Sequence, residues 1–528
     1  MISHQGNQHR CRLASAPFSN AHGFRLKKVT DQDYPHRRRL FLVVSVGVFM
    51  STMDSSMVNV ALPTLMEDFQ SSLALTEGVV LVYLLTITIL LLLWGHLSDR
   101  RGRGRVYSWG MLIFTGGSLS CGLAPEIYSL ILFRFIQALG ASMMMATGPA
   151  LIKSIFPADR LGRGLGLIGV ATSLGLMAGP PISGLLIRWV NWRAIFWVTV
   201  PIGLLFFVLG RGPLTGSSRP PAIVRSPEPS RRHGFDWRGA MLWAAAVTLT
   251  ILVATNVSAP VAGRELAWSA ILGAGLVLIF LVWFVFLGHE KRCSAPLLPL
   301  PLFRQRFFSM ALVSGMLSFV VLFFVLILTP FYLDRILGLP PDQIGYVMMA
   351  VPLCVFIVSP VAGRMHDGMG ARIVATGGLL CCLISMVLLT GITAETSPFA
   401  VAARLALLGF GEAMFLSPNS AAALAGVPDD QVGVTASLLA TARNLGMLLG
   451  TALAGLIFAL YFSHATGGLD MKDFTPASTA AFMFALHRSF QYGAVFALAG
   501  LLASWLRPGK PSGAPHLPAV APDHIEGL

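Results

Sequence analysis

Long apolar runs dominate this sequence. Each run holds about 20 mainly apolar residues and is bounded by charged residues, proline or glycine. A helix of that length spans the hydrocarbon core of a bilayer, because the helix rises about 1.5 Å per residue and the core is about 30 Å thick. The runs predict fourteen transmembrane helices and therefore an all-α polytopic membrane protein. The predicted spans are 40–65, 76–97, 106–124, 128–152, 165–187, 194–209, 239–257, 267–287, 309–333, 344–362, 372–392, 398–424, 432–461 and 488–506.

The composition agrees with this class. Of the 528 residues, 55% are hydrophobic and 12% are charged, and the mean hydropathy is +0.71, which is too apolar for a soluble globule. A net charge of +14 would suggest a nucleic-acid partner in a soluble protein. Here the arginines concentrate in alternate loops, which indicates membrane topology. We therefore expect a lipid bilayer and no nucleic acid as partner.

The sequence carries no recognisable metal, cofactor or nucleotide motif. Its twelve histidines are scattered, and its six cysteines lack metal-ligand spacing. No Gly-x-x-x-x-Gly-Lys-Ser/Thr loop is present, as an ATP-driven pump would need. The sequence thus predicts no metal, no cofactor and no enzyme activity.

A charged, glycine-rich turn at 95–105 joins the second and third runs. Its four arginines place this loop in the cytoplasm by the positive-inside rule. With fourteen spans, both termini are then cytoplasmic, and the protein is expected in the inner (cytoplasmic) cell membrane. Residues 1–39 are basic and have no apolar core, which predicts a disordered tail and no signal peptide.

The same turn carries a family resemblance. Gly95-x-Leu97-x-Asp99-Arg100-x-Gly102-Arg103 resembles the signature loop of the major facilitator superfamily, and a second copy stands at 363–370. Two copies imply two homologous halves. In that family the loop aspartate steadies a closed cytoplasmic gate against a helix N-terminus in the other half, here near 431–433. The expected gating residues are Gly95, Asp99, Arg100, Gly102, Arg103, Gly363 and Asp367. A loop that only sets topology is the alternative.

Six, two and six spans form a pattern that resembles the fourteen-span drug/proton antiporters of the EmrB/QacA type. The resemblance implies a major facilitator fold, with two six-helix halves and two inserted helices. The expected units are a tail at 1–39, a first half at 40–210, a linker at 211–237, two extra helices at 238–289, a linker at 290–308, a second half at 309–507 and a tail at 508–528.

Four ionisable residues stand out within the predicted spans: Asp54, Arg134, Glu412 and Arg443. Charge in hydrocarbon costs at least about 2.5 kcal/mol, so such groups are usually paired or functional. Helix rise places Asp54 and Arg134 about 16 and 9 Å from one membrane face, and Glu412 and Arg443 about 18 and 17 Å from the other. Each half is therefore expected to hold one acid near one arginine. Proton coupling and mere helix pairing both remain open for these pairs.

Family resemblance implies roles for the first pair, Asp54 and Arg134. The segment 53–63 resembles the helix 1 signature of fourteen-span antiporters, in which the acid, here Asp54, couples protons. The segment 134–140 resembles the superfamily's helix 4 motif, whose arginine takes part in proton transfer, with Ala138 in place of a glycine.

The fifth span carries a further motif, in which Gly175, Gly179, Pro180 and Gly184 resemble the antiporter motif of exporters. Small residues let helices approach closely and prolines bend them, which gives a stiff interface. Ordinary packing of small residues is the alternative.

Together these features predict a proton-coupled efflux transporter, a drug/H⁺ antiporter, that exports amphipathic or cationic small molecules by alternating access. A dedicated exporter of one metabolite, such as an antibiotic or siderophore, is the alternative, and a membrane enzyme or a channel is less favoured. The expected partners are the small-molecule substrate and protons, and a periplasmic adaptor is left open. The sequence does not determine the substrate, the proton stoichiometry or the oligomeric state. It also assigns no role to the extra helices or to the loop at 462–487.

Overall fold

The chain is helical throughout its described part. The computed structural model describes residues 37–155, 161–216, 236–255, 265–293, 297–298, 300–425, 427 and 432–508. Most of the tails expected at 1–39 and 508–528 and most of the linker expected at 211–237 lie outside these residues. The helices are α1 (Arg37–Asp68), α2 (Leu73–Arg101), α3 (Arg103–Gly122), α4 (Ile127–Ile155), α5 (Leu161–Trp189), α6 (Ala194–Trp197), α7 (Thr199–Gly216), α8 (Trp237–Thr255), α9 (Glu265–Arg292), α10 (Arg306–Arg335), α11 (Pro341–Met348), α12 (Ala350–Met369), α13 (Ala371–Leu389), α14 (Pro398–Ala425), α15 (Val432–Thr466) and α16 (Thr479–Trp505).

Twelve stretches among the described residues are long and apolar enough to cross a membrane. They include parts of every long helix except α3 and α16. The chain is thus an all-helical, multi-pass membrane protein.

The predicted start of the last span at 488 is wrong, because α16 begins nine residues earlier at Thr479. His487 and Arg488 suggested a boundary, yet both are accommodated inside the helix. The His487 ring bonds the Ile392 carbonyl oxygen at 2.6 Å. The Arg488 guanidinium lies 5.3 Å from the centre of the Phe484 ring on an exposed face. The loop expected at 462–487 shortens accordingly to 467–478.

Helix pairing repeats along the chain. Within α1–α7, which we call the first bundle, α1 packs on α5, α4 packs on α2 and α3, and α3 packs on α7. Within α10–α16, the second bundle, α10 packs on α15, α14 packs on α12 and α13, and α13 packs on α16. The two bundles therefore repeat one arrangement, as the two copies of the charged loop suggested.

Two glycines make equivalent turns in the two bundles. Gly102 joins α2 to α3 at φ 92°, and Gly370 joins α12 to α13 at φ 82°. Residues with a side chain rarely adopt this conformation, so glycine is required at both sharp reversals. We call the end of the molecule that contains Gly102 the arginine-loop end, and the opposite end the far end.

Helices α8 and α9 lie at the side of the two bundles. Helix α8 packs on α2 and on α15, and so touches both bundles, while α9 packs mainly on α8. The rings of Trp243, Trp283 and Phe286 hold the pair together, with centroids 5.8 to 5.9 Å apart. On the other face of α9, Phe280 is 74% exposed, which suits contact with lipid.

The two bundles meet at the far end. Among the described residues, two side-chain pairs bridge them. Arg188 donates to Asp342 at 2.6 Å, and Arg335 donates to Glu67 at 3.4 Å. Both pairs lie at the far end, where α5 also packs closely on α11. These contacts close the far end of the space between the bundles.

Candidate functional site

Asp54 and Arg134 form a buried ion pair in the first bundle. Asp54 lies on α1 and Arg134 on α4, and Arg134 Nη1 donates to Asp54 Oδ2 at 2.6 Å. Each side chain is only 1% exposed. The prediction that these two residues meet is therefore confirmed.

Gln137 completes this pair. Its Nε2 donates to Asp54 Oδ1 at 2.8 Å and to Ser118 Oγ at 2.7 Å, and its Oε1 accepts from Arg134 Nη1 at 2.6 Å. The sequence analysis did not single out Gln137. A signal existed, since a polar residue three positions after a buried arginine lies on the same helix face.

The Arg134 side chain makes two further contacts. Its Nε donates to the Val79 carbonyl oxygen at 3.2 Å, and its guanidinium carbon lies 4.0 Å from the centre of the Tyr83 ring. A buried ion pair is tolerated when its hydrogen bonds are complete, and it becomes strongly unfavourable when one partner is lost. The site thus gives the buried Asp54 carboxyl group a cationic partner and a second hydrogen-bond donor. A proton reaching Asp54 would cancel that charge and weaken its hold on Arg134.

Glu412 has a different environment. Both of its carboxyl oxygens lie 2.7 Å from Ser318 Oγ of α10, and Oε1 lies 4.0 Å from Cys382 Sγ of α13. The residue is 3% exposed. One serine hydroxyl supplies one proton, so at most one carboxyl oxygen receives a hydrogen bond from it. Burial without a cation favours the neutral acid.

The expected pair of Glu412 and Arg443 does not form in this structure. No ion pair is recorded for either residue within the described residues. Similar depth was a poor guide, because α14 directs Glu412 toward α10 and α13, while α15 packs mainly on α10, α2 and α16 and makes little contact with α14. Arg443 is accessible to solvent although protein surrounds it. We interpret it as a cation lining the space between the bundles.

The glycines of α5 lie where the backbone of other helices comes very close. A β-carbon at Gly175 would lie 2.6 Å from the Phe49 carbonyl oxygen, and one at Gly179 would lie 2.9 Å from Ser56 Cβ, both on α1. One at Gly184 would lie 2.8 Å from Asp342 Cα in the second bundle. The carbonyl group of Pro180 faces Gly345 of α11 in the same way. This motif therefore packs α5 against both α1 and the second bundle.

The gating residues are described only in part. The backbone at Asp99, Arg100 and Asp367 is helical, but their side chains, and residues 428–431, lie outside the described part. The contact expected between Asp99 and the start of α15 therefore stays a prediction. Around Gly95 and Gly363 there is space, since a β-carbon at either would meet nothing within 4 Å.

One cluster that the sequence did not predict lies at the arginine-loop ends of α8 and α9. Donor atoms of Asp236, His289 and Cys293 lie within 4.8 Å of one another, as in a metal site. Asp236 also accepts from the Gly239 amide at 2.9 Å and contacts the His289 ring at 2.9 Å. Burial raises the pKa of Asp236, but these hydrogen bonds outweigh that effect and lower it overall. They explain the cluster as a tie between α8 and α9.

Comparisons with known proteins agree with this geometry. The model of a family described as Major Facilitator Superfamily matches residues 44–335 and 307–523. Riboflavin transporter RibZ of Clostridioides difficile (strain 630) is 32% identical over 88% of this chain and 96% of its own. Multidrug resistance protein Stp of Mycobacterium tuberculosis (H37Rv) is 30% identical over 80% of this chain and 76% of its own. The crystal structure of a bacterial homolog of the human lysosomal transporter Spinster, titled as inward-facing and unoccupied, superposes with a TM-score of 0.63 at 15% identity. The match covers 90% of this chain and 97% of that one.

Proposed function

Because this chain belongs to the major facilitator superfamily and is a membrane transport protein, not an enzyme, we propose that it is a proton-coupled exporter of amphipathic or cationic small molecules. The buried network of Asp54, Arg134 and Gln137 carries the proposal. An acid enclosed with an arginine at membrane depth is expensive to retain for packing alone.

We assign this structure to the inward-facing state. The far end is closed by α5, α11 and two ion pairs, and the positive-inside rule places the arginine-loop end in the cytoplasm. The count of fourteen spans belongs to this proposal, with α3 and α16 as the two that are less apolar. Residues Arg103 and Arg105 in the first turn of α3 sit at the cytoplasmic surface in this arrangement.

Coupling follows because a proton and Arg134 compete for the Asp54 carboxyl group. With Arg134 on Asp54, as seen here, the acid is ionised and its proton has left toward the cytoplasm. After the substrate has moved outward, a proton from the far side binds Asp54 and loosens its bond to Arg134. The network then re-forms on the cytoplasmic side with loss of that proton. One proton enters for each return of the empty transporter, and Asp54 is the group that carries it.

The second bundle supplies different chemistry. A neutral Glu412 presents a hydrogen-bonding group, and Arg443 presents a cation to the space between the bundles. A neutral acid together with a cation suits amphipathic substrates with hydrogen-bonding groups, and a cationic substrate would bind with Glu412 ionised. The close packing of α5 supports export, because it resembles the motif of exporters and forms part of the closed far end.

The likeness to Riboflavin transporter RibZ supports the second candidate, a transporter dedicated to one metabolite such as a flavin. The likeness to Multidrug resistance protein Stp supports the first. Substrate breadth separates the two, while the coupling chemistry at Asp54 is the same for both.

The test uses the purified protein in liposomes with an imposed proton gradient. Uptake of ethidium and of riboflavin is followed by fluorescence for the wild type, Asp54→Asn and the exposed control Asp473→Asn. We expect gradient-driven ethidium transport by the wild type and the control and none by Asp54→Asn. Transport of riboflavin alone would select the dedicated transporter. Undiminished gradient-driven transport by Asp54→Asn would remove Asp54 from the coupling path.

A further inference from the structure

A second carboxyl group lies buried at the contact between the two bundles. Glu77 is in the second turn of α2, near the far end, and is 3% exposed. Its Oε1 is buried without a hydrogen-bond partner. Within the described residues, it makes no ion pair and no side-chain hydrogen bond. Glu77 is the second residue of the predicted span 76–97.

Glu77 faces the second bundle directly. Its carboxyl group packs on Gly455 of α15 so closely that a β-carbon at Gly455 would overlap both carboxyl oxygens. It borders a cavity of about 260 Å³ that is lined by α2, α15, the end of α8 at Thr255 and the turn at 468–471. The acid therefore lies on the surface along which the bundles would separate when the far end opens.

Among the described residues that line this cavity, none carries a positive charge. The other titratable residue that lines this cavity is Asp470, an acid whose Oδ1 accepts from the Lys472 amide at 3.1 Å. Helix α15 contributes apolar residues and Ser463, and α8 contributes Thr255. On α2, Leu73 and Ala74 complete the described lining.

An ionised carboxylate in such a place is strongly unfavourable. Removal of a charge from water without a cation or full hydrogen bonding costs several kcal/mol. A neutral carboxylic acid avoids most of that cost, and its hydroxyl can donate a hydrogen bond. The closed contact seen here therefore needs a proton on Glu77.

We propose that Glu77 is a proton-binding site of the far-end gate, which takes up one proton from the far-side solution when the bundles close and returns it when they open. Opening separates α2 from α15 and hydrates the carboxyl group, which then ionises. Because this proton enters and leaves on the same side, it is not transported. The proposal rests on the alternating access of the proposed function, but not on its substrate or on Asp54.

The proposal predicts how closure depends on pH. The closed state holds one proton more than the open state wherever Glu77 is neutral when buried and ionised when hydrated. In that range, the Glu77 proton alone raises the ratio of closed to open molecules about tenfold for each unit by which the pH falls. The Asp54 proton of the proposed cycle is bound in the open state and acts in the opposite direction, so the Glu77 dependence is measured in Asp54→Asn.

Distance measurements across the far end test this. Spin labels are placed at the exposed positions Val190 and Phe399, at the far ends of α5 and α14, in protein whose native cysteines are replaced, and distances are measured by pulsed electron paramagnetic resonance from pH 5 to 8 in lipid nanodiscs. In Asp54→Asn, which lacks the opposing proton, we expect the short distance to lose population as pH rises. In Asp54→Asn/Glu77→Gln, in which both positions are always neutral, the short distance should persist at every pH.

Two control variants separate this site from its neighbours. Asp54→Asn/Asp470→Asn removes the nearby acid and should keep the response of Asp54→Asn, while Glu77→Gln alone keeps the Asp54 proton, so there the short distance should gain population as pH rises. Absence of a pH response in Asp54→Asn would overturn the proposal. An equal response in Asp54→Asn and Asp54→Asn/Glu77→Gln would also overturn it, as would closure that follows Na⁺ concentration at constant pH.

Discussion

The acids of the two bundles lie in environments of opposite kind. Asp54 is paired with Arg134 at 2.6 Å and held by Gln137 at 2.8 Å, while Glu412 meets the Ser318 hydroxyl at 2.7 Å and no cation within the described residues. Both are almost completely buried. The same helix arrangement thus gives one acid a cationic partner and the other a hydroxyl donor. The packing of neighbouring helices, not depth in the membrane, decides which partner each acid meets.

The largest effect is expected from removal of the cation in the first bundle. Arg134→Gln leaves Asp54 buried without a counter-charge, which should lower stability by about 3–5 kcal/mol. Thermal unfolding of the detergent-solubilised protein measures this change. The double variant Asp54→Asn/Arg134→Gln should regain much of the loss. A double variant no more stable than Arg134→Gln alone would contradict an ion pair at this site.

In the second bundle, replacement of the acid by its neutral amide should change stability only slightly. Glu412→Gln replaces a neutral acid with a neutral amide of the same shape, so we expect a change in stability within about 1 kcal/mol. Glu395→Gln, an exposed substitution, serves as the matched control. A loss of about 3 kcal/mol or more in Glu412→Gln would show that Glu412 is ionised in the folded protein and would erase the contrast with Asp54.

The packing of α5 on α1 gives an effect of intermediate size. Gly179→Ala forces a methyl group against Ser56, and overpacking of this kind costs about 1–3 kcal/mol. Gly169→Ala on the same helix meets nothing within 4 Å and should stabilise by about 0.5–1 kcal/mol. Thermal unfolding of the two variants in parallel compares them. Equal shifts would mean that α5 does not pack on α1 as described.

The smallest effect concerns the tie between α8 and α9. The pKa of Asp236 is lowered in the folded protein, so its contribution is present above the ordinary pKa of about 3.9 and disappears as pH falls through the folded value. Asp236→Asn should therefore lower the unfolding midpoint slightly at pH 7. The difference from the wild type should vanish in strong acid. A difference that grows on acidification would reverse the assigned sign.

Sequence alone was sufficient for the features that depend on local pattern. Apolar length located the helices to within a few residues at most ends, and the loop spacing identified Gly102 and Gly370 as equivalent. The meeting of Asp54 and Arg134 also followed, because two ionisable residues inside hydrocarbon need partners.

The sequence did not predict the features that depend on which helices become neighbours. Glu412 and Arg443 have similar depths, yet α14 and α15 do not bring them together. Glu77 lies at the start of the predicted span 76–97. Only its contact with Gly455, 378 positions away in the chain, shows it to be buried between the bundles. Asp236 and His289 come from different helices, so no spacing within one motif could join them.

Proton movement driven by a substrate gradient tests the central claim most directly. Liposomes containing the protein and an internal pH dye receive an ethidium gradient with no initial pH difference, and exchange of ethidium for ethidium is measured in parallel to show that each variant is folded and active. For the wild type, we predict proton flux opposite to ethidium flux. For Asp54→Asn, we predict exchange of ethidium without proton flux. Equal proton flux in the wild type and Asp54→Asn would contradict coupling through the pair of Asp54 and Arg134.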